Sequence, residues 1–468
     1  MPLILGAQSA VAGGDLVTNS CQFDGSAKLT KTLGTPTDLN MWTWSAWVKL
    51  GAVSTLGYLF ECTTGASNFT AVKVDSTARF FFGNYNSGYL GQRDLARLLR
   101  DPTAWYHLVA IWDSDNGTPA DRMQLWINGV RQTSFHGTTN PTSGEACQMA
   151  SGADLWVGVH QSTNDYFQGY MAEVCFIDGQ ALTPTSFGEY NEDSPGIWQP
   201  IDVSGLTFGN NGFYLDFEDS ANLGNDANGG TDLTGTNIAA VDQMTDTPNN
   251  NFATLQPLEN YFAASTFSNS NLDLATNASN KAFNVATIGL TAGKWYWETK
   301  ITTDNSSDMF FGVSGMQCLS SSQHLGTTDQ EYAYRSGNGN KETDNVSSAY
   351  GNTYTAADII GCALDLTNMK IYWSKNNVWQ DSGDPTSGAS GTGAAFTLKA
   401  LNLLDFGYYT PAWGEDGAQT DYIAVNFGNP SYTNTSDAAD GNGYGRFEYA
   451  PPSGYLAICT KNLGSDGG

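Results

Sequence analysis

Residues 105–130, WYHLVAIWDSDNGTPADRMQLWINGV, carry the clearest structural signal in this sequence. Two runs within them, WYHLVAIW (105–112) and RMQLWINGV (122–130), are short and rich in aromatic and β-branched residues. Runs of this composition, bounded by Asp, Asn and Gly, are typical of β-strands. The Asn-Gly pair at 128–129 lies between apolar residues, which is the strongest short-range indication of a β-hairpin. The stretch therefore predicts antiparallel strands joined by tight turns.

Comparable runs recur along most of the chain, with turn residues between them. The clearest are TWSAWVKL (43–50), LWVGV (155–159), YMAEVCFI (170–177), KWYWETKI (294–301), MFFGVSG (309–315), DIIGCALDL (358–366), KIYWSKN (370–376) and DYIAVNFG (421–428). A helical pattern is visible only at 95–100 and 185–193, and the Asp-Pro pair directly after the first favours a strand or loop there. The chain is therefore predicted to be all-β, with two antiparallel β-sandwiches in series.

The composition excludes several classes of partner. The 468 residues include 20 Lys and Arg against 47 Asp and Glu, a net charge of −27 at pH 7. A surface this acidic repels phosphate backbones and anionic lipids, so we expect no nucleic-acid binding. No run reaches the roughly 18 apolar residues of a transmembrane helix, and we expect no membrane insertion. The seven cysteines are scattered without a CxxC pair, which predicts buried thiols rather than disulfides or metal ligands.

The alternation of apolar and turn-rich segments predicts five regions. They are an N-terminal anchoring arm at 1–19, a sandwich at 20–190, an acidic, Asn- and Gly-rich connector at 191–257, a second sandwich at 258–463 and a C-terminal tail at 464–468. The connector is nearly free of large apolar side chains from 219 to 250, so we predict that it is irregular and mobile. In the arm, Leu3, Ile4 and Leu5 are the predicted apolar plug that docks on a neighbouring subunit.

Both predicted sandwiches resemble known families. The first is similar to a concanavalin A-like jelly roll of the laminin-G kind, on TWSAWVKL, DPTAWYHLVAIWD (101–113), MQLWINGV and the closing segment 155–184, in that order. The second resembles a SPRY domain, on GKWYWE (293–298), FFGVSG (310–315), ADIIGCALDLTNMKIYWSKNN (357–377), YTPAWG (409–414) and VNFG (425–428). The resemblance implies two-sheet sandwiches that hold ligands in surface loops or on a sheet face.

The combination also resembles structural proteins of tailed bacteriophages, especially those that infect marine bacteria. The stretches that carry this likeness are MPLILGAQSA (1–10), the connector from FYLDFEDSANLGND to NNFATLQPL (213–258), the SPRY core and PPSGYLAICTKNL (451–463). It implies a virion protein, assembled in the host cytoplasm and exposed on the particle as a tail fibre or adhesin. Its expected partners are other virion proteins, further copies of itself in a homo-oligomer such as a trimer, and a host-surface glycan or protein. A capsid-decorating or head-fibre subunit without a ligand stays open, as does a secreted bacterial carbohydrate-binding protein.

No catalytic pattern accompanies these resemblances. Glycosidases with concanavalin A-like folds place carboxylates along one strand as E-x-D-x-x-E, because retaining hydrolysis needs two carboxyl groups about 5 Å apart. The sequence lacks that motif, and its nearest acidic cluster, LDFEDS (215–220), begins the polar part of the connector. The four histidines are dispersed, and no G-x-S-x-G, H-E-x-x-H or P-loop pattern occurs. We therefore predict a non-enzymatic protein.

Calcium is the one cofactor that the sequence suggests. The loop DSDNGTPAD (113–121) offers the carboxylates of Asp113, Asp115 and Asp121, the hard oxygen ligands that this ion prefers. The spacing is not that of an EF-hand, so a solvated acidic hairpin loop stays open as the alternative. A second acidic group is formed by Asp216, Glu218 and Asp219.

The candidate residues for binding glycan or another receptor are aromatic side chains in polar loops. A sugar ring stacks on an aromatic face and hydrogen-bonds to neighbouring amides and carboxylates. The candidates are Tyr85, Tyr89, Tyr166, Tyr408 and Trp413, with Tyr332 and Tyr334 in a further loop. A packing role is the alternative for each. The strand tryptophans Trp44, Trp47, Trp105, Trp126, Trp295, Trp297 and Trp373 are predicted to lie in the cores.

Overall fold

The computed structural model describes residues 16–52, 55–162, 164–192, 194–260, 264–277, 281–417 and 419–466. The predicted anchoring residues Leu3, Ile4 and Leu5 lie outside the described residues. The chain divides between Asn249 and Asn250 into two compact units. Each unit is built almost entirely of antiparallel sheets, which confirms the predicted fold class.

The strands of the first unit follow the predicted runs closely. They are β1 Ser20–Asp24, β2 Lys28–Thr32, β3 Met41–Leu50, β4 Gly57–Gly65, β5 Asn68–Val74, β6 Arg79–Asn86, β7 Tyr89–Leu98, β8 Trp105–Asp113, β9 Met123–Ile127, β10 Val130–Arg131, β11 Phe135–Thr139, β12 Asp154–Val157, β13 Gln168–Asp178, β14 Gly188–Tyr190, β15 Trp198–Pro200, β16 Phe213–Leu215, β17 Thr234–Thr236 and β18 Gln243–Met244. Segment 95–100 largely belongs to strand β7, as predicted, whereas 185–193 contributes a 3₁₀ turn at Pro184–Ser186 and strand β14 instead of a helix.

Two eight-stranded sheets make the first sandwich. One has the order β10-β9-β8-β3-β13-β1-β18, with β16 also pairing to β13, and the other has the order β11-β7-β6-β5-β4-β12-β2-β17. The predicted hairpin at 128–129 joins β9 to β10, with φ of 48° at Asn128 and 73° at Gly129. Positive φ at both central residues is what a two-residue type I′ hairpin requires. Aromatic side chains such as Trp42 and Phe82, 5.1 Å apart between ring centroids, fill the space between the sheets.

The acidic segment after residue 190 is part of this unit up to Asn249, so it is not a separate connector, although most of its described residues are irregular, as predicted. Strands β16, β17 and β18 pair with β13, β2 and β1. Phe213 and Leu215, both 0% exposed, add apolar surface to the core. The carboxylate of Asp246 forms a buried ion pair with Lys49, with 2.6 Å between Oδ2 and Nζ. A few apolar and charged anchors thus order a segment whose overall composition is polar.

The second unit is another two-sheet sandwich. Its strands are β19 Thr266–Ser268, β20 Asp273–Ala275, β21 Ala282–Val285, β22 Lys294–Thr303, β23 Met309–Ser314, β24 Glu331–Arg335, β25 Asn340–Thr343, β26 Val346–Ala349, β27 Ile359–Asp365, β28 Lys370–Lys375, β29 Val378–Trp379, β30 Phe396–Thr397, β31 Thr410–Glu415, β32 Tyr422–Asn426 and β33 Leu456–Ala457, with helix α1 at Thr460–Asp466. One sheet has the order β19-β20-β32-β22-β27-β28-β29, extended by β30 and β33, and the other has the order β21-β31-β23-β24-β25-β26. Trp295, Trp297 and Trp373 are buried between the sheets, as predicted.

Candidate functional site

The predicted calcium ligands are not brought together. Asp113 accepts a hydrogen bond from Asn116, and Asp115 accepts two from the amide of Asn40, each 3.3 Å long. Asp121 instead forms an ion pair with Arg131. Within the described ranges there is no group of three His, Cys, Asp or Glu side chains that could hold a metal ion. Each carboxylate of this loop thus has its own partner, and the described residues give the calcium prediction no support.

The aromatic candidates of the second unit turn out to be packing residues for the most part. Trp413 is 1% exposed, and its indole N–H donates to the hydroxyl of Thr299 at 3.0 Å. Its position on β31 directs it into the core, so its assignment to a binding loop is wrong. Tyr332 and Tyr334 also lie in that core.

The two remaining candidates, Tyr166 and Tyr408, are half-buried, and neither belongs to the groups of side chains described below. Tyr408 stacks on Phe406 with ring centroids 5.0 Å apart. Its ring also covers Gly289, where a Cβ atom would lie only 2.5 Å from the Tyr408 ring. Tyr166 is half-buried in the loop that leads into β13.

Tyr85 and Tyr89 belong to a group of aromatic side chains on one sheet face. Tyr85 stacks on Phe69, with ring centroids 5.0 Å apart and ring planes 17° from parallel, and meets Tyr89 edge-on at 5.1 Å. Tyr89 is 38% exposed and also contacts Phe81, with ring centroids 5.7 Å apart. We call Phe69, Phe81, Tyr85 and Tyr89 the aromatic cluster. An exposed ring held by stacked neighbours is a rigid apolar platform.

The face that carries this cluster is the outer side of the sheet that runs from β11 to β17. Side chains alternate between the two faces of a strand. Phe60 and Cys62 on β4 lie in the core, so Glu61 between them points outward. Paired residues continue this outward row as Trp156 on β12, Glu61 on β4 and Ala71 on β5. We call this side of the sheet the outer face.

Glu61 is the most unusual group on the outer face. It is 0% exposed, and neither of its carboxylate oxygens has a hydrogen-bond partner of good geometry among the residues that the structure describes. The Nε2 atom of His160 lies 3.8 Å from Oε2. Burial raises the pKa of Glu61 to about 8, although the Gln161 backbone amide and Lys73 lower it. A carboxyl group in this state is protonated at neutral pH and can both donate and accept hydrogen bonds.

Lys73 occupies the space between Glu61 and the aromatic cluster. Its ammonium group donates to the hydroxyl of Tyr58 at 3.2 Å and lies 4.7 Å from the centroid of that ring. It also lies 4.8 Å from the centroid of Phe81. Burial lowers the pKa of Lys73, against the attraction of Asp165 and other nearby carboxylates. The outer face thus combines aromatic rings, a cation and a buried carboxyl group, the residue types that recognise polyhydroxylated ligands.

Sequence reasoning found the two tyrosines of this face but not Glu61, Lys73 or Trp156. The stretch YLFECT (58–63) could have indicated Glu61, because it is the only charged residue in a largely apolar strand. Since side chains alternate between the two faces of a strand, Glu61 is expected on the face opposite Phe60 and Cys62. No local sequence pattern indicates that strand β12 places Trp156 beside Glu61, because this strand pairing joins residues about a hundred positions apart in the sequence.

A buried serine–histidine pair on the other sheet does not have the geometry of a nucleophile and base. Ser45 Oγ lies 2.8 Å from Nε2 of His107, while the indole N–H of Trp198 donates to Nδ1 at 3.0 Å. Since Nδ1 accepts that bond, the proton of the neutral ring is on Nε2 and is donated to Ser45. Burial lowers the pKa of His107 to about 3. The ring therefore cannot accept the serine proton, as a general base must.

Among the described residues, no helix is both long and apolar enough to cross a membrane. Comparison with known families gives two matches. Residues 23–186 match the model of the concanavalin A-like lectin/glucanases superfamily, and residues 294–398 match the SPRY domain model.

Curated relatives share only part of this chain. E3 ubiquitin-protein ligase RKP from Arabidopsis thaliana is 31% identical over 121 residues, which are 25% of this chain and 8% of that protein. ATP-dependent RNA helicase Ddx1 from Drosophila melanogaster is 27% identical over 175 residues, 37% of this chain and 19% of that protein. The chain therefore spans less than a fifth of the length of either relative.

Among solved structures, the SPRY domain of human HERC1 is similar at 19% identity and a TM-score of 0.28, covering 36% of this chain and 96% of that domain. Together with the two sandwiches observed here, the family matches establish the domain content. The chain carries a concanavalin A-like domain of the laminin-G kind, followed by a SPRY domain.

Proposed function

We propose that this chain is a non-enzymatic adhesin subunit on the surface of a tailed-phage particle, and that its outer face binds host-surface glycan. The observation that carries the binding proposal is the aromatic cluster, with the exposed ring of Tyr89, beside the ammonium group of Lys73. Stacked aromatic rings bind the apolar face of a sugar, and a partly exposed polar group beside them, here the ammonium group of Lys73, bonds to its hydroxyls. Weak single contacts suffice, because many copies on one particle bind together.

Direct binding by the full chain tests this proposal. The full chain is applied to a glycan array, and the affinity of each glycan that binds is measured by titration calorimetry. Tyr89→Ala removes the exposed ring of the cluster, and we expect an affinity loss of about tenfold. Tyr422→Ala is the matched control, since Tyr422 is similarly exposed, at 47% against 38%, but lies on β32 of the second unit. Equal losses in both variants, or no glycan bound at all, would count against the proposal.

The particle location is supported by the order of the two domains and by the resemblance of the sequence to phage structural proteins. Immunogold microscopy on particles from the source lysate, with an antibody against residues 258–463, tests it. Label at the tail supports the adhesin, whereas label spread over the head favours a head-fibre or capsid-decorating subunit. Unlabelled particles would refute a virion role. Analytical ultracentrifugation tests the proposed homo-oligomer, for which we expect a trimer.

A further inference from the structure

The outer face also has a cavity, at the opposite end of the sheet from the aromatic cluster. Strands β2, β12 and β17 surround a cavity of about 350 Å³. We call it the Lys28 pocket, and its walls include Lys28, Thr30, Asp154, Trp156, Thr234 and Thr236. Lys31 and Thr32 complete the lining, so hydroxyl groups, one aromatic ring, two lysines and one carboxylate surround a single space.

Lys28 and Asp154 lie at different ends of the pocket. Lys28 and Thr32 lie four residues apart on β2, and Thr32 pairs with Asp154 across the sheet. At about 3.3 Å per strand residue, Lys28 and Asp154 are therefore separated by roughly 13 Å along the strands. Trp156 and Thr30 are paired with one another between these two ends.

Lys28 is available to an anion. Its Nζ atom lies 4.8 Å from the ring centroid of Trp156, and no carboxylate of the described chain lies within ion-pair distance of it. Two lysines, Lys28 and Lys31, against one carboxylate in the lining make this pocket locally basic within a chain of net charge −27, which favours a bound anion. The indole N–H of Trp156 is buried and has no acceptor among the described residues.

We propose that the Lys28 pocket binds an acidic sugar unit, a hexuronate or a sulfated hexose. The anionic group pairs with Lys28, the ring packs on Trp156, and the hydroxyls bond to the threonines and to Asp154. This inference rests on the proposed glycan-binding function, since it names the ligand class of the same outer face. Three strand spacings, roughly 14 Å, separate β12 from β6 of the aromatic cluster, so one oligosaccharide can reach both.

The test uses the full chain and matched pairs of probes. Oligogalacturonate and oligomannuronate are each offered as the acid and as the neutral methyl ester, which has the same shape. We expect the acid to bind about tenfold more tightly than its ester. Added salt should weaken the binding of the acid and leave the binding of the ester unchanged. Lys28→Met keeps the apolar stem on Trp156 but removes the charge, so it should abolish the preference, and Lys28→Arg should restore it.

The second unit offers a matched control. Lys300 also lies over an aromatic ring, with its Nζ 4.6 Å from the centroid of Tyr432, and Lys300→Met should leave the acid preference unchanged. Equal binding of acid and ester by the unsubstituted chain, or equal losses in the two methionine variants, would overturn the inference while leaving glycan binding intact. If no glycan of any kind binds, the inference and the proposed function both fail.

Discussion

Asp246 gives the sharpest test of how the acidic segment is held. Its Oδ2 atom pairs with Nζ of Lys49 at 2.6 Å, and its Oδ1 atom accepts the indole N–H of Trp105 at 2.8 Å. The backbone carbonyl of Asp246 also accepts a hydrogen bond from the hydroxyl of Ser20. The side chains of Lys49 and Asp246 are 2% and 0% exposed. Asp246→Ala therefore leaves a buried ammonium group and an indole N–H without this acceptor.

The expected cost follows from that burial. Removing one partner of a buried ion pair destabilises a protein by about 3–5 kcal/mol, because the remaining charge stays in a poorly solvated site. The lost indole bond belongs to the same network, so its contribution is not additive. The double variant Lys49→Met/Asp246→Leu removes both charges together and should recover most of the loss. Glu192→Ala, at an exposed position after β14, should change the stability by less than about 0.5 kcal/mol.

Urea unfolding gives the free energy of unfolding of each variant, and hydrogen exchange of the amides at 243–247 shows where stability is lost. We expect Asp246→Ala to lower the free energy of unfolding by about 3–5 kcal/mol and to speed exchange in β18. A loss below about 1 kcal/mol, with unchanged exchange in β18, would refute the reasoning, since the segment would then not depend on its buried anchor.

Two further predictions concern buried groups elsewhere. The raised pKa of Glu61, about 8, means that its protonated form is favoured in the folded state. The resulting stabilisation is full below the ordinary glutamate pKa of about 4.3 and is lost as the pH rises through 8. The melting temperature of the first unit should therefore fall as the pH rises from about 5 to about 8, and Glu61→Gln should reduce that dependence; an unchanged slope would contradict the prediction. Trp413→Phe removes the donor to Thr299 and should cost about 1–2 kcal/mol in urea unfolding without changing glycan affinity. A loss of glycan affinity in this variant would instead indicate that Trp413 takes part in binding.

The strands were predictable because their signals are local. The alternation and aromatic content of 43–50 and 294–301 predict β3 and β22 to within a few residues, and the Asn-Gly pair predicts the turn after β9. The ordering of 191–249 was not predictable from composition. It depends on a few residues, such as Phe213 and Asp246, whose partners lie far away in the sequence.

The candidate site was predictable only in part, for the same reason. Tyr85 and Tyr89 were expected in a polar loop and instead lie on β6 and β7 at either side of the turn between them, but they could still be found by residue type. Trp413 has the same residue type, yet its strand parity directs it into the core. The position of Trp156 beside Glu61 follows from long-range strand pairing, which no local pattern encodes.

The outer face is the proposed ligand-binding surface. Hydrogen exchange of the full chain, measured with and without a glycan that binds, tests it directly. We predict slower exchange in peptides from β4 to β7 and from β12, with unchanged exchange throughout the second unit. Protection confined to the second unit, or to the opposite sheet of the first unit, would contradict the claim.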